Sequence, residues 1–316
     1  MGVLGIDTSC YTTSVAYAQR GAEPVQARRI LTVPEGKSGL QQSGALFQHV
    51  QNLPVMLEEL RAKCPEMQIE AVCASTRPRD AQDSYMPVFL AGEGTARGIA
   101  ASLQVPFFAT SHQQGHVRAA ILHSGIPEGD FMAVHLSGGT TELLHTGFDL
   151  HVDLLGGTED LNAGQLVDRT GVALGLPFPC GPHLEELAKG GKAESKIPLS
   201  AKGMALHFSG AEAQIMRWVE SGEMKKEDIA AEVYSYLSRA VAHLLTEGYK
   251  HTGCKNVLIA GGVSSSARFR TLLPERLRRK KCPVRVYWGK PEFSSDNAVG
   301  AALIGLDLFE GSREAK

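Results

Sequence analysis

Nowhere in the 316 residues does an apolar run approach the roughly 20 residues of a membrane helix, which argues against a spanning segment. Cysteine is sparse: Cys10, Cys64, Cys73, Cys180, Cys254 and Cys282 are scattered with no C-x-x-C pair, so reduced, mostly structural thiols in a cytoplasmic protein are expected. Charge of one sign is missing too. A net charge of −2 gives no global argument for nucleic acid, and the local run Arg276, Arg278, Arg279, Lys280, Lys281 reads either as a solvated helix end, the commoner use, or as contacts to phosphates. There is no low-complexity tract and no short repeat. The first residues read as a strand, so no secretory signal is expected, and Ile6 stands where a myristoylation motif at Gly2 needs Ser or Thr. What remains is an ordinary soluble composition, 43% hydrophobic and 21% charged, in a length that makes about two domains.

The most informative stretch is Val134-His135-Leu136-Ser137-Gly138-Gly139-Thr140-Thr141-Glu142-Leu143, which joins two strands through two glycines and hydroxyl residues. Such a turn can present several backbone N–H groups to a phosphate, and it can equally be an ordinary hairpin turn. Its neighbours add weight. The opening run Val3-Leu4-Gly5-Ile6-Asp7-Thr8-Ser9 ends in a carboxylate and two hydroxyls and precedes the strand-like Ser14 to Tyr17, a hairpin with polar groups at its tip. Asn256 to Ala260 reads as a buried strand running into Gly261-Gly262-Val263-Ser264-Ser265-Ser266 and then a helix from Ala267 to Leu273, a place where a ligand can approach the backbone. Ser294-Ser295-Asp296-Asn297 precedes a small-residue helix, Ala298 to Gly305, able to pack closely on a neighbour.

Two strand-tip phosphate loops, a Gly-Gly loop and a late Asp before a helix, in that order, resemble the actin, sugar-kinase and heat-shock ATPase superfamily. The resemblance implies an α/β fold of two lobes, each a mixed sheet flanked by helices, with a nucleotide in the cleft between them. The expected division is a first lobe over 1–118, completed by a C-terminal helix at 297–316, and a second over 119–296. Within the first lobe the pattern predicts a strand hairpin, a polar connection from Pro34 to Gly44, an amphipathic helix from Leu46 to Lys63, a strand from Ile69 to Ala74 and a helix from Val88 to Leu103. The theme repeats with a hairpin from Met132 to Thr146, several helices, and the strand and loop at 257–266. The charged, glycine-rich segment Lys189 to Lys202 predicts an exposed loop.

A second constellation is Ser111-His112-Gln113-Gln114-Gly115-His116. Ser111 can cap a helix, on which His112 and His116 share one face with Cβ atoms about 6 Å apart. That spacing suits two imidazoles on one metal at about 2.1 Å each, and it suits two surface or capping histidines as well. A hydrolytic zincin carries Glu after its first His as general base; Gln113 cannot accept a proton at neutral pH.

With these motifs stand Asp160-Leu161-Asn162-Ala163-Gly164-Gln165-Leu166-Val167-Asp168, Leu174-Gly175-Leu176-Pro177, Gly181-Pro182, Phe208-Ser209-Gly210, Ala260-Gly261-Gly262-Val263 and Asp296-Asn297-Ala298. Their order over almost the whole chain resembles the TsaD family, once called glycoprotease or O-sialoglycoprotein endopeptidase. That family moves threonylcarbamoyl from an adenylate to an adenine of tRNA beside the anticodon. The resemblance implies that His112, His116 and Asp296 bind one divalent metal, iron or zinc. His135 stands where archaeal and eukaryotic relatives carry a tyrosine that also reaches the metal, and a nitrogen donor there is expected to join the shell. By the same carry-over, Leu136, Ser137, Gly138, Gly139 and Thr140 meet the nucleotide phosphates. Asp168 and Gly181 hold the ribose or base, and Gly261-Gly262 closes over the adenosine of ATP or threonylcarbamoyl-adenylate. The implied partners are tRNA, a smaller homologous subunit, a small ATPase and the adenylate-making enzyme, within a homo- or heterodimer, and no membrane.

Several positions depart from the family. After Cys10 the family has an Asp-Glu pair, and here stand Tyr11 and Thr12; Ser75-Thr76-Arg77-Pro78-Arg79-Asp80 replaces an Ala-Gly-Pro-Gly turn. Ser266 replaces an asparagine that contacts the nucleotide, and Thr140 stands where bacterial members usually have His. This is the pattern of a divergent bacterial paralogue. Three functions are carried forward: a transferase acting on threonylcarbamoyl or a closely related carbamoyl group, a non-catalytic metal- and nucleotide-binding scaffold or regulator, and a metallopeptidase, disfavoured by Gln113.

Overall fold

In the computed structural model, which describes residues 2–33, 40–194 and 196–314, the opening hydrophobic run becomes the centre of a sheet. Strand β1 (Gly2–Ser9) is buried at every position, as a strand covered on both faces must be. It pairs antiparallel with β2 (Thr12–Gln19), which pairs antiparallel with β3 (Val25–Ile30). On its other side come β4 (Ala71–Arg77) and β5 (Phe107–Ser111), both parallel, giving the order β3-β2-β1-β4-β5. The first three helices are α1 (Gln42–Lys63), α2 (Phe89–Leu103) and α3 (His112–Ile121). Pro34 to Gly39 of the expected polar connection lie outside the described residues, and Gln42 to Gly44, expected in that connection, already belong to α1.

Helix α1 buries Ala45, His49, Leu53, Met56 and Leu60, one stripe at helical spacing. Four of these are apolar; His49 is fully buried. Asn52 Nδ2 donates to Thr13 Oγ1 at 3.3 Å, and Thr13 Oγ1 lies 2.8 Å from His49 Nδ1, so the hydroxyl donates to a neutral ring. Burial lowers the His49 pKa to about 4 against the opposing pull of the Asp7 charge and the Ser9 backbone. The unfolded chain therefore takes up this proton first, near the ordinary histidine value. Stability from His49 is full above that value and falls as pH drops toward the folded one, by about 2 kcal/mol at pH about 4.5. Urea unfolding of wild type and His49→Gln at neutral and acid pH checks this: the variant should lose less stability on acidification than the wild type.

The second sheet repeats the scheme. Strands β6 (Phe131–Leu136), β7 (Thr141–Thr146) and β8 (Val152–Thr158) form an antiparallel meander. The chain continues through α4 (Ala163–Ala173), α5 (Gly181–Ala188), the short β9 (Ala201–Lys202) and β10 (Ala205–Leu206), α6 (Ser209–Ser221) and α7 (Lys226–Thr252). Then β11 (Asn256–Ala260) joins β6 in parallel, α8 (Ala267–Arg279) follows, and β12 (Arg285–Trp288) adds in parallel to β11. The order β8-β7-β6-β11-β12 matches β3-β2-β1-β4-β5 in topology and direction, with β10 and β9 added at one edge. Helix α7 is buried along most of its length, with Tyr234, Tyr236, Leu237, Val241 and Leu244 in the core of this unit.

The last helix, α9 (Val299–Glu314), returns to the first sheet. Close contact depends on small residues: a Cβ at Gly5 would meet Ala302 N at 2.4 Å, and one at Gly305 would meet Cys73 Cβ at 2.6 Å. The chain thus forms two units, Met1–Ala120 with Asp296–Lys316, and Ile121–Ser295, so Asp296 groups with the first.

Two expectations are refined. The segment Lys189 to Lys202 is not simply exposed, because Ile197 is buried in the core and Lys192 N donates to Asp228 Oδ1 at 2.7 Å; Ser195 lies outside the described residues. In the basic run, Arg278, Arg279 and Lys280 are exposed at the end of α8, whereas Arg276 turns inward, its Nη2 donating to Ser235 Oγ at 3.1 Å. All six cysteines are free thiols. Among the described residues no helix is long and apolar enough to cross a membrane.

Candidate metal centre and nucleotide-binding turns

The metal candidate is built by a reciprocal cap. Gln114 N donates to Ser111 Oγ at 3.2 Å while Ser111 N donates to Gln114 Oε1 at 3.0 Å, a capping box that starts α3 at His112. One turn on, His116 brings its ring beside that of His112, with centroids 4.3 Å apart. Asp296, just before α9, completes the group.

The three donors form a triangle: His112 Nε2 to His116 Nε2 is 2.9 Å, His116 Nε2 to Asp296 Oδ1 is 3.3 Å and His112 Nε2 to Asp296 Oδ1 is 3.6 Å. Ligands at about 2.1 Å from a tetrahedral ion lie about 3.4 Å apart, so these edges bracket the distance such an ion requires. Two imidazole nitrogens and a carboxylate oxygen also match the donors that zinc and iron accept. The residues fit the group.

Behind His112 stands Asp7, at the tip of β1 and 1% exposed. Its Oδ1 is 2.9 Å from His112 Nδ1 and its Oδ2 accepts from Ser9 N at 3.2 Å. A proton on Nδ1 shared with Asp7 makes Nε2 the nitrogen that would face an ion once its own proton is displaced, the arrangement that orients metal-bound histidines. Burial pushes the Asp7 carboxyl up, but the His112 charge and hydrogen bonds from His112 and Ser75 outweigh it and the net shift is downward. Burial likewise works against a charged His112, yet Asp7 and Asp296 on either side raise it to about 10. Asp296 is held well below the usual range by the two histidines, again against burial. Beside them Ser9 Oγ is buried with no hydrogen-bond partner among the described residues.

Asp7→Asn should weaken metal binding by about 10- to 100-fold, since the amide N–H₂ has no acceptor at Ser9 N and turns toward His112, favouring the wrong tautomer. Competition titration against a zinc chelator checks this. Unchanged affinity would remove Asp7 from the support of His112.

Two of the departures noted in the sequence lie here. Thr12 Oγ1 donates to Asp296 Oδ2 at 3.5 Å, so a hydroxyl touches the carboxylate where the family has an acid. The altered segment after β4 docks on α3: Gln113 N donates to Pro78 O at 3.0 Å and Gln114 Nε2 to Asp80 Oδ2 at 3.3 Å, with Asp80 also paired to Arg77.

The nucleotide candidates lie in the second unit, at the carboxyl ends of β6 and β11, where parallel α/β sheets bind ligands. In the turn after β6, Gly139 N and Thr140 N both point at Ser137 Oγ, at 3.3 and 3.0 Å, and Ser137 N donates to Thr140 O at 2.8 Å. Here the Ser137 hydroxyl takes the place that an anion's oxygen would occupy against the amides of Gly139 and Thr140. The N-terminus of α4 lies against this turn, for a Cβ at Gly164 would meet Gly138 N at 2.6 Å. Gly261, at φ 99°, approaches Leu136 so closely that a Cβ would lie 2.2 Å from its carbonyl oxygen.

Further round the same unit, Asp168 Oδ1 accepts from Cys180 N at 3.0 Å and Gly181 O from Tyr234 Oη at 3.1 Å. Burial raises the Asp168 pKa against that amide bond. Ser266 Oγ donates to Glu185 Oε1 at 3.0 Å and caps α8 by accepting from Phe269 N at 3.2 Å, so its hydroxyl serves the loop itself. Glu185, absent from the expected set, also accepts from Arg268 N at 2.8 Å. Asp160 is structural: Phe208 N, Ser209 N and Ser209 Oγ donate to it, tying two motif segments together.

His135 lies in this second unit, next to last on β6, opposite Glu142; the triangle of His112, His116 and Asp296 belongs to the first. Asp7, Ser9, Ser75 and Glu185 were not expected as site residues. The carboxylate-tipped hairpin at Asp7 and Ser9 was the available signal, while nothing local marked Ser75 or Glu185.

The architecture is the α/β fold of the actin-like ATPases. Similar solved structures include the activator of 2-hydroxyisocaproyl-CoA dehydratase from Clostridium difficile with bound ADPNP, at TM-score 0.57 and 15% identity, covering 100% of this chain and 98% of that one. Full-length HypF in a phosphate- and nucleotide-bound form aligns at TM-score 0.63 and 14% identity over 99% of this chain and 47% of its own. A ROK family glucokinase from Streptomyces griseus with glucose and AMPPNP gives 0.56 at 10% identity, over 97% of this chain and all of that one. In sequence, the family model for tRNA N6-adenosine threonylcarbamoyltransferase, TsaD, matches residues 38–303. A relative of that name from Aromatoleum aromaticum is 30% identical over 96% of this chain and 90% of its own length; one from Thermotoga neapolitana is 27% identical over 97% and 94%. The chain belongs to the TsaD family.

Proposed function

We propose that this protein transfers threonylcarbamoyl, or a closely related carbamoyl group, from an adenylate to an adenine of tRNA beside the anticodon, with a metal held by His112, His116 and Asp296. The observation that carries the proposal is the donor triangle, with edges of 2.9, 3.3 and 3.6 Å, inside a chain of this family. A divalent ion held by these three residues would supply Lewis acidity for an acyl transfer. The chain's own residues supply the rest. Asp7 holds the Nδ1 proton of His112 and so aims Nε2, while Thr12 fixes Asp296 by its second oxygen.

In the second unit, the amides of the Ser137–Thr140 turn and the N-terminus of α4 receive phosphate oxygens, for which converging N–H groups and the helix dipole are suited. Gly261 and Gly262 admit the nucleotide close to the backbone, Leu136 ends the strand beneath it, and Asp168 and the Gly181 region accept from the ribose or hold the base. The dehydratase activator, HypF and the ROK glucokinase of this fold were each solved with a nucleotide or nucleotide analogue, which supports the same use here. The expected partners are tRNA and, as in the family, a smaller homologous subunit and a small ATPase.

Expression in a strain depleted of its own TsaD, with threonylcarbamoyladenosine in tRNA read by mass spectrometry, tests the proposal. Modification restored by the wild type and not by His112→Ala/His116→Ala supports it. Soluble, nucleotide-binding protein that restores none would retire it.

A further inference from the structure

The second unit carries a group of metal-donor side chains that the proposed transfer does not use. His145 on β7 stands opposite Asp153 on β8 in the antiparallel register, and His151, in the turn just before β8, brings its ring to the same place. One donor atom from each of the three lies within 4.8 Å of the other two. The two imidazoles meet edge to face with centroids 5.3 Å apart.

The ring of His151 is fixed from one side. Asp149 Oδ1 lies 2.7 Å from His151 Nδ1, and a proton held between them leaves Nε2 with its lone pair. This is the carboxylate support that orients metal-bound histidines. The turn between the strands accommodates it: a Cβ at Gly147 would meet Asp130 Oδ1 at 2.8 Å, Asp149 Oδ1 at 3.0 Å and His151 Cε1 at 3.2 Å. Glycine there lets two carboxylates crowd the ring. Asp130, Asp149 and Asp153 near the two imidazoles concentrate negative charge at the turn of the hairpin, which a divalent cation would offset.

We propose that His145, His151 and Asp153 bind a second divalent transition-metal ion, of zinc type, separate from the centre at His112. Two nitrogens and a carboxylate oxygen are a donor set that zinc accepts. With the His151 ring held by Asp149, rotation of the exposed Asp153 side chain can bring its oxygen from within 4.8 Å toward the roughly 3.4 Å of a tetrahedral shell. The ion staples β7 to β8 where the register of the hairpin ends.

The test counts zinc. Full-length wild type, His112→Ala/His116→Ala, His145→Ala/His151→Ala and the quadruple variant are dialysed against zinc and analysed by plasma mass spectrometry. The His112→Ala/His116→Ala protein is expected to keep one zinc that the quadruple variant lacks. Equal zinc in those two overturns the proposal. Because this comparison is made without the first centre, it stands whether or not that centre holds metal. In the same background, zinc should raise the thermal midpoint, and Asp149→Asn, a milder change at an exposed side chain, should weaken zinc binding by about 10- to 100-fold. No midpoint shift and no weakening would overturn the proposal independently of whether the quadruple variant folds.

Discussion

Replacing His112 and His116 together by alanine is expected to abolish metal retention at that centre and to lower tRNA modification by on the order of a thousand-fold, about 4 kcal/mol of transition-state stabilisation. The size of the effect follows from the geometry. Both Nε2 atoms face one point, and Asp296 alone provides a single monodentate oxygen. The double variant also leaves Asp7, buried at the tip of β1, without the imidazole that stabilises its charge, so some loss of stability accompanies the loss of metal. His116→Ala alone separates the two effects, for it keeps the Asp7–His112 pair while removing one ligand. That variant should fold as the wild type does, by thermal unfolding, and still lose the metal of this centre and most of the activity. Full activity in metal-depleted His116→Ala would sink the metal-dependent reading.

Gly300→Ala is expected to act nearly as strongly from a residue with no donor atom. An added Cβ would lie 1.8 Å from the carbonyl oxygen of Gly115 and 2.5 Å from its carbon, both backbone atoms that cannot rotate aside. Gly115 sits on α3 between the two histidines, and Gly300 follows Asp296 at the start of α9. Relief of the clash therefore has to move the carboxylate away from the imidazoles. We expect a loss of about 3 kcal/mol or more in stability together with weakened metal binding. Gly115→Ala is the contrast: its Cβ would find Ala301 N at 3.9 Å, an ordinary contact, and alanine favours a helix by somewhat under about 1 kcal/mol over glycine. Denaturant unfolding and metal titration of the two variants decide the matter. Equal behaviour would show that the approach of α9 to α3 does not set the site.

Much of this was legible in the residues. The hairpin at 132–146, the capping serine at 111, the strand at 256–260 and the close-packing helix after Asp296 all carry local signals, in periodicity, turn chemistry or small-residue runs. The donor pair at His112 and His116 was visible because helical spacing is local. Asp7 was visible only as a polar strand tip, because its meeting with His112 depends on sheet order, which periodicity does not specify. Ser75 and Glu185 were missed for the same reason. The inward turn of Arg276 and the burial of Ile197 show tertiary packing overriding a charged local composition. His49 reads in sequence as one polar residue in an apolar stripe, and only its burial gives it a pH dependence.

The return of α9 to the first sheet has a consequence for synthesis on the ribosome. His112 and Asp296 are separated by 296 − 112 = 184 positions, with the whole second unit made between them. At about 5–20 residues per second, roughly 10–40 s pass after the histidines are joined before the carboxylate exists. During that interval β1 to β5 lack their closing helix and the imidazoles have only Asp7 for company. The nascent first unit is the part of this protein that a chaperone or a protease would meet unfinished, and the ion can be captured by its full set of ligands only after the second unit has been synthesised.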